Sequence, residues 1–352
     1  MYSSVTIGGS LVKRLAENPP QQVKVPGAAI FVFIADFVVF LPVFLILLYT
    51  LSHVYPTLAA VEDPLPAYEA LPMNDDGTPK TDTDPVRTAQ PGKPITASIR
   101  ATNRLIRSLG GWLSNFRGLG YGFLIGMVTV MTTGILSRLP FVPVRIAHLI
   151  SLLALSPLAT TWTHLVITGP SAKSFARRIP SVKKVYVANW FPTFLLWASA
   201  HAAVVFPELL GKAIGLRMPN GPIQVGGEPM NGSDAGKVIC VAALSLLLQA
   251  VLVIPAHAAL TRVQASLLPA DEDTIVPFDR SFAGRVEPEV VTGKGFATFG
   301  AAIKTIPRSS WVRIYLLRIK VFFVSMAVYF VLGAIVLLEF VLLGLAESAK
   351  KN

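Results

Sequence analysis

The chain is organised around the stretch Pro255-Ala256-His257-Ala258-Ala259-Leu260-Thr261-Arg262-Val263-Gln264. This stretch closes a long apolar run that begins at Val238. A proline late in an apolar helix removes one backbone donor and kinks the helix, and the Thr-Arg-x-Gln that follows leads the chain out of hydrocarbon into water. The stretch therefore predicts the end of a kinked helix that crosses a membrane.

The composition extends this prediction to the whole chain. Of its 352 residues 53% are hydrophobic and only 14% are charged, whereas about 25% are charged in an ordinary soluble domain. The chain is therefore predicted to be a membrane protein with several spans. Its net charge of +11 lies in loops. In a membrane protein, basic loops set the orientation of the spans and attract anionic lipid, so this charge does not indicate a nucleic-acid partner.

The predicted fold is an all-α membrane protein with six transmembrane helices in three pairs. A helix needs about 20 apolar residues to cross the hydrocarbon core. Basic loops follow the first, third and fifth spans and therefore share one face of the membrane, with both termini on the other. Six stretches are long enough to span: Ala28–Tyr55, Leu119–Leu139, Val144–Thr168, Val185–Leu210, Gly236–Leu260 and Ile314–Leu345.

The spans and the loops between them divide the chain into three repeats with polar ends. Residues 61–94 are rich in acidic residues and proline and cannot bury enough apolar surface to order themselves. We expect this acidic insert to be disordered and to contact a protein partner. The predicted segments are a polar N-terminal segment (1–27), repeat 1 with the insert (28–139), repeat 2 (140–215), a Gly/Pro-rich loop (216–235), repeat 3 (236–347) and a basic tail (348–352).

Basic amphipathic helices are predicted between the paired spans. From Ile95 to Leu109 the apolar residues recur with a helical period, and Gly110-Gly111 ends the pattern. A second such segment runs from Phe296 to Ile306. Helices of this kind lie in the membrane interface, and the residues of the first helix that are expected to bind anionic lipid are Arg100, Arg104 and Arg107.

The proline motif resembles the end of an odd-numbered helix in the mitochondrial carrier family, which reads Pro-x-acid-x-x-base and often continues Thr-Arg-x-Gln. In the fifth span the proline and the continuation match, while histidine and leucine replace the acid and the base. The first and third spans keep a proline and also lack both charges. The positions matched to this motif are Pro42, Phe44, Leu47, Pro157, Ala159, Trp162, Pro255, His257, Leu260, Thr261, Arg262 and Gln264.

The resemblance implies a fold, a location and a lipid partner. Its fold would place six helices around a pseudo-threefold axis in a mitochondrial membrane, inner or outer, with the basic helices in contact with an anionic lipid such as cardiolipin. The second span carries an aromatic-glycine pattern similar to that of the family's even-numbered helices. Its small-residue stripe, which lets another helix approach closely, consists of Gly118, Gly122 and Gly126.

The missing charges decide the expected function. A working carrier closes each end with ion pairs that form and break as it cycles. An apolar ring of Phe, Leu and Trp would instead pack shut, which predicts a membrane scaffold or adaptor without salt-bridge gates. Two alternatives stay open: a transporter that gates by hydrophobic packing, and an unrelated six-span membrane protein such as a lipid-modifying enzyme.

Ionisable residues inside the spans are the remaining candidates for chemistry. Asp36 either faces a lumen or reaches the interface from the end of a long helix. His257 either faces the central cavity or is satisfied by a neighbouring helix. The five histidines include no His-x-x-x-His pair and Cys240 is the single cysteine, so no metal site, cofactor or catalytic site is predicted.

Overall fold

A computed structural model of the chain describes residues 27–64, 94–170, 179–216, 232–286 and 295–351, without the side chains of 27–29 and 344–351. The N-terminal segment before residue 27, most of the acidic insert, the middle of the basic loop after the third span and most of the Gly/Pro-rich loop lie outside these residues. So do the side chains of the basic tail.

The described residues are almost entirely helical, and several of the helices are long and apolar enough to cross a membrane. Five helices qualify alone, and a sixth span forms if two helices bent by 59° are counted as one. The prediction of an all-α fold with helices long and apolar enough to span a membrane is confirmed for the described residues, while the grouping of the spans into three repeats stays a prediction. In chain order, spans 1 to 6 are Ile30–Val61, Trp112–Leu136, Val144–Ala154 with Ser156–Ile167, Val182–Ala213, Gly232–Ser266 and Arg308–Leu343.

The outer surfaces of the spans are apolar. Phe31, Phe123 and Phe330 are between 72% and 80% exposed, which would be unfavourable in water but suits side chains that face lipid. Helices are the segments that can occupy this environment, because each satisfies its backbone hydrogen bonds internally.

Spans 1, 3 and 5 each change geometry before a final helical segment that has proline at its second position. In span 1 a π-helix, Ile46–Val54, precedes Tyr55–Val61, and in span 5 a π-helix, Gln249–Val253, precedes Ile254–Ser266. Span 3 bends at Leu155 before Ser156–Ile167. These three final segments contact one another, and we call the place where they meet, together with the loops packed on it, the closed end.

The predicted amphipathic helix after the insert is present. A short 3-10 turn, Ile95–Ala97, is followed by the helix Ile99–Gly110, whose N-cap Ser98 accepts a hydrogen bond from the backbone of Ala101. Thr102 and Ile106 are buried. The second amphipathic segment is shorter than predicted, with a helix only over Phe299–Lys304.

The spans form two compact units. The main body comprises residues 45–326, and the terminal helix pair comprises residues up to 44 and from 327 onwards. In the terminal helix pair, the helix Gly27–Leu45 packs on the later part of the helix Arg308–Lys351. Two aromatic contacts join them, Phe33 with Phe340 and Phe44 with Tyr329, with ring centroids 5.4 Å and 6.1 Å apart.

Candidate functional site

Arg262 forms a buried ion pair at the closed end. Its Nη1 lies 2.7 Å from the carboxylate of Asp63 and 3.3 Å from the carbonyl oxygen of Ala60, so it binds the end of span 1 from span 5. The guanidinium also stacks on Phe278 and Phe282, 5.6 Å and 5.1 Å from the ring centroids. The side chain is 2% exposed, so both charge and packing hold it in place.

A second buried ion pair joins span 6 to the end of span 1. Arg313 Nη1 lies 3.3 Å from the carboxylate of Glu62, and its Nη2 donates to the carbonyl oxygens of Ala59 and Glu62. Glu62 also accepts hydrogen bonds from the backbone of Ile95, at 2.6 Å, and from the hydroxyl and backbone of Thr96. Glu62 therefore fixes the start of the amphipathic helix region to spans 1 and 6.

These pairs bear on two sequence-based expectations. The motif's acid and base positions were expected to form no salt-bridge ring, and the ion pairs at this end are of another kind, because Arg262 and Arg313 pair with acids that follow span 1. The prediction that the disordered insert begins at residue 61 was wrong for Glu62 and Asp63. Both carboxylates are held by opposite charges and backbone amides, which offsets the cost of burying them.

Neutral hydrogen bonds complete the closed end. The Thr163 hydroxyl lies 2.6 Å from Gln264 Oε1, and His164 Nε2 lies 2.8 Å from the Gln264 carbonyl oxygen, which joins spans 3 and 5. Span 4 joins span 3 through the Asn189 amide, which donates to the hydroxyls of Ser156 and Thr160 at 3.2 Å and 2.8 Å. The charged Arg117, near the start of span 2, donates to the carbonyl oxygens of Leu165 and Thr168.

A tight turn in the loop after span 5 supports the position of Phe282. The Asp279 carboxylate accepts hydrogen bonds from the Ser281 hydroxyl at 2.6 Å and from the backbone of Ala283 at 2.7 Å. Burial acts to raise the pKa of Asp279, but these hydrogen bonds and the nearby Arg262 outweigh it and lower the pKa below its ordinary value. Because Phe282 and Ala283 have positive φ angles of 52° and 54°, the turn needs this support.

Two cavities lie in the main body. One, of about 280 Å³, lies between spans 3, 4 and 5, and the other, of about 410 Å³, lies between spans 1, 2 and 3. Ala159 and Trp162 line both. We call the first the histidine cavity, because its lining includes His148, Trp162, Trp197, His201, His257 and Leu260.

The histidines that are scattered in the sequence converge in the structure. His148, His201 and His257 line the histidine cavity and His53 lines its neighbour. The ring centroids of His148 and His201 are 5.8 Å apart. His257, for which two roles were open, lines the cavity and has no hydrogen-bond partner among the described residues. Spacing within one helix could not reveal this cluster, because each histidine comes from a different helix.

The predicted gate positions are divided between the two units. Pro42 and Phe44 belong to the terminal helix pair, where Phe44 stacks on Tyr329, whereas the other ten positions lie in the main body. Leu47 is buried, Thr261 and Gln264 are buried and line the histidine cavity, and Pro157 and Pro255 begin the final segments of spans 3 and 5.

The predicted glycine stripe is used only in part. A side chain added at Gly118 or Gly122 would meet the indole of Trp162, at 3.3 Å and 3.0 Å from its nitrogen. Trp162 in turn donates to the Tyr49 hydroxyl at 3.0 Å. A side chain added at Gly126 would have no atom of the described residues within 4 Å of its Cβ. The expected packing role of Gly126 is therefore not seen in the described residues.

Asp36 faces an acidic partner in the terminal helix pair. Together with Glu339 it lines a narrow cavity whose other walls are apolar, and the two carboxyl groups interact. The partner of Asp36, which the sequence left open, is thus another acid.

The arginines predicted to bind lipid share one face. Arg100, Arg104 and Arg107 are exposed and, with Asn103 and Ser108, line a shallow surface depression. Within the described residues, no three metal-ligating side chains lie close enough together to hold a metal ion. No protein-family model, no curated protein and no solved structure matches this chain.

Proposed function

We propose that this protein is a membrane scaffold or adaptor whose main body keeps one conformation, and that it is not an enzyme. The observation that supports this most directly is the pair of buried ion pairs at the closed end, Arg262 with Asp63 and Arg313 with Glu62. A transporter of the alternating type would have to open this end in every cycle.

The energetic cost of opening argues for a static structure. Ion pairs alone do not prevent opening, since working carriers break and re-form theirs. Here, however, the two arginines also donate to the backbone carbonyl oxygens of Ala59, Ala60 and Glu62, and each hydrogen bond to a charged group contributes roughly 1.5–3 kcal/mol. Because opening would disrupt all of these bonds together, the polar network favours a closed end.

We further propose the wider identity that the resemblance implies: a divergent carrier-like protein of three repeats in a mitochondrial membrane. The contact between the final segments of spans 1, 3 and 5 is compatible with this arrangement. In this setting the arginine face would bind anionic lipid, and the insert around residues 65–93 would bind a protein partner.

A second candidate function is solute binding or transport, and the histidine cavity favours it. This cavity combines histidines and hydroxyl groups with two tryptophans inside a bundle of apolar helices. Binding sites for small molecules are commonly of this kind, concave and mostly apolar with a few polar groups.

Cysteine accessibility at the closed end tests the scaffold proposal. Ala60 is 3% exposed and its carbonyl oxygen accepts from Arg262. In a Cys240→Ser background, Ala60→Cys should resist a water-soluble maleimide in proteoliposomes, whereas Ser108→Cys on the exposed amphipathic helix should react fully. Panels of nucleotides, carboxylates and amino acids on either side should leave Ala60→Cys protected.

The opposite result would favour the transporter. Labelling of Ala60→Cys that becomes at least tenfold faster when a solute is added, together with saturable uptake of that solute, would overturn the scaffold proposal. Thermal unfolding of the labelled variant should match the parent, so that loss of the fold is not mistaken for opening.

A further inference from the structure

The histidine cavity is lined by two polar groups that could form hydrogen bonds with a ligand. His201 Nδ1 lies 2.8 Å from the carbonyl oxygen of Trp197. A carbonyl only accepts, so Nδ1 carries the proton, and in the neutral ring Nε2 is a hydrogen-bond acceptor. Among the described residues, Nε2 has no hydrogen-bond partner.

The indole of Trp197 supplies the complementary group. Trp197 Nε1 is buried and has no hydrogen-bond partner within the described part of the chain. An indole N–H is a donor only, and a buried donor without a partner costs about 1–3 kcal/mol. Its ring lies 4.6 Å from the ring of His201, centroid to centroid, so the ring that carries the donor and the ring that carries the acceptor are neighbours in the cavity lining.

The charges around the cavity favour an anion. Three histidines line it, and Arg318 and His53 lie near His257. No acidic side chain is in the lining. A carboxylate entering this site would therefore meet groups that are neutral or positive.

The remaining lining residues favour a ligand with a flat apolar ring. Trp162 and Trp197 present aromatic rings, and Leu152, Leu196 and Leu260 also line the cavity. Aromatic side chains pack well on other rings. A volume of about 280 Å³ accommodates one small ring with a carboxyl group but not a nucleotide.

We propose that the histidine cavity binds a small aromatic carboxylic acid, taken up as its anion together with one proton. One carboxyl oxygen accepts from the Trp197 indole N–H, and the other accepts from His201 Nε2 after that nitrogen has gained a proton. No covalent bond is made or broken. The complex is a carboxylate–imidazolium pair, and its net gain is one anion and one proton from water.

This inference goes beyond the scaffold proposal and does not depend on it. A static main body can bind such an acid as a ligand, and a transporter could bind it as a substrate. Protection of Ala60→Cys and binding of the acid are therefore separate results.

Calorimetry with four probes tests the chemistry directly. Benzoate, benzamide, benzylammonium and acetate would be titrated into the full-length protein in detergent at neutral pH. Benzoate should bind at least tenfold more tightly than benzylammonium, which reverses the charge, and than acetate, which lacks the ring. Benzamide keeps the ring and can donate an N–H to the neutral His201 Nε2, so it should bind without proton uptake. Titrations in two buffers of different ionisation enthalpy should show about one proton taken up per benzoate and none per benzamide. Binding of benzylammonium or acetate as tight as that of benzoate, or benzoate binding without proton uptake, would overturn the proposal.

Matched tryptophan variants test the position of the site. Trp197→Phe removes the N–H and keeps a ring, and should weaken benzoate binding about tenfold, the loss of one hydrogen bond to a charged group. Trp190→Phe is the control, since Trp190 lies in the same span and is 58% exposed. If both variants bind benzoate as the parent does, the site is wrong.

The histidine variant separates a chemical role from a structural one. His201→Gln should abolish proton uptake and weaken benzoate binding more than benzamide binding, because only the carboxylate pairs with an imidazolium. If His201→Gln does not fold, the comparison of Trp197→Phe with Trp190→Phe and the four probes still decide the matter. Persistent proton uptake in a folded His201→Gln would exclude His201 as the acceptor.

Discussion

Arg262 shows how a single residue can join several elements of a membrane protein. Its guanidinium contacts the end of span 1, two phenylalanines of the following loop and, at 3.4 Å, the hydroxyl of Thr305. Burial removes water from competition for these contacts, so each depends on the charge being matched. Asp63 supplies that match.

We predict that Arg262→Met will lower the free energy of unfolding by roughly 3–5 kcal/mol, because Asp63 is then left buried without its counter-charge. The double variant Arg262→Met/Asp63→Leu should lose less than the sum of the two single variants, since no unpaired charge remains. Thermal unfolding in detergent would measure all three.

The exposed pair of Lys212 with Glu208 is the matched control. Its atoms are 2.6 Å apart, closer than those of the Arg262 pair, but its side chains are 69% and 49% exposed. Lys212→Met should therefore change stability far less than Arg262→Met does, because water screens an exposed pair. Equal effects of Arg262→Met and Lys212→Met would show that burial does not determine the strength of the closed end.

Residues differ in how far the sequence reveals their roles. The motif pointed to Arg262, but its partner follows a different span about two hundred positions earlier, and a single sequence does not carry that pairing. Glu62 and Asp63 were grouped with the insert because acidic, proline-rich composition is typical of disorder. The histidines converge only through the packing of four helices, which no local spacing records.

At the scale of elements, helical periodicity predicted the position of a helix better than the prolines did. The helical period from Ile95 to Leu109 predicted a helix, which the structure has over Ile99–Gly110, after a 3-10 turn over Ile95–Ala97. Proline spacing paired Pro42 with Pro157 and Pro255, yet the proline that begins the final segment of span 1 is Pro56. The sequence could not separate the two, because each lies in the same continuous apolar run.

The amphipathic helix carries its arginines where they can meet lipid headgroups. Thr102 and Ile106 fix its inner face, and Arg100, Arg104 and Arg107 remain exposed on the outer one. Trp112 and Leu113, which follow the helix, are 46% and 71% exposed. Amphipathic rings such as that of Trp112 are typical of the membrane interface.

We predict that replacing Arg100, Arg104 and Arg107 with Gln will weaken the interaction with anionic lipid. Each arginine near such a surface contributes roughly 1 kcal/mol at modest ionic strength. The full-length protein in nanodiscs containing anionic lipid should therefore unfold at a lower temperature after the triple replacement. In zwitterionic nanodiscs the triple variant and the parent should unfold alike. The same loss in both lipids would mean that the arginines stabilise the fold itself.

For the whole molecule, the polar network fixes which loops lie together. Glu62 follows span 1, Thr96 precedes span 2, Gln264 ends span 5 and Arg313 begins span 6, and their bonds place these ends at one level of the main body. Because a helix that spans a membrane has its two ends on opposite faces, the ends of spans 2 and 4 must face the other side.

The topology prediction follows from this arrangement. In a Cys240→Ser background, Ser108→Cys and Lys304→Cys should react with an impermeant maleimide from one side of sealed vesicles. Arg138→Cys, after span 2, and Lys212→Cys, at the end of span 4, should react only from the other. All four positions are exposed, so protection reports the membrane rather than burial. Reaction of Ser108→Cys and Arg138→Cys from the same side would mean that span 2 does not cross, and the six-span topology would then be wrong.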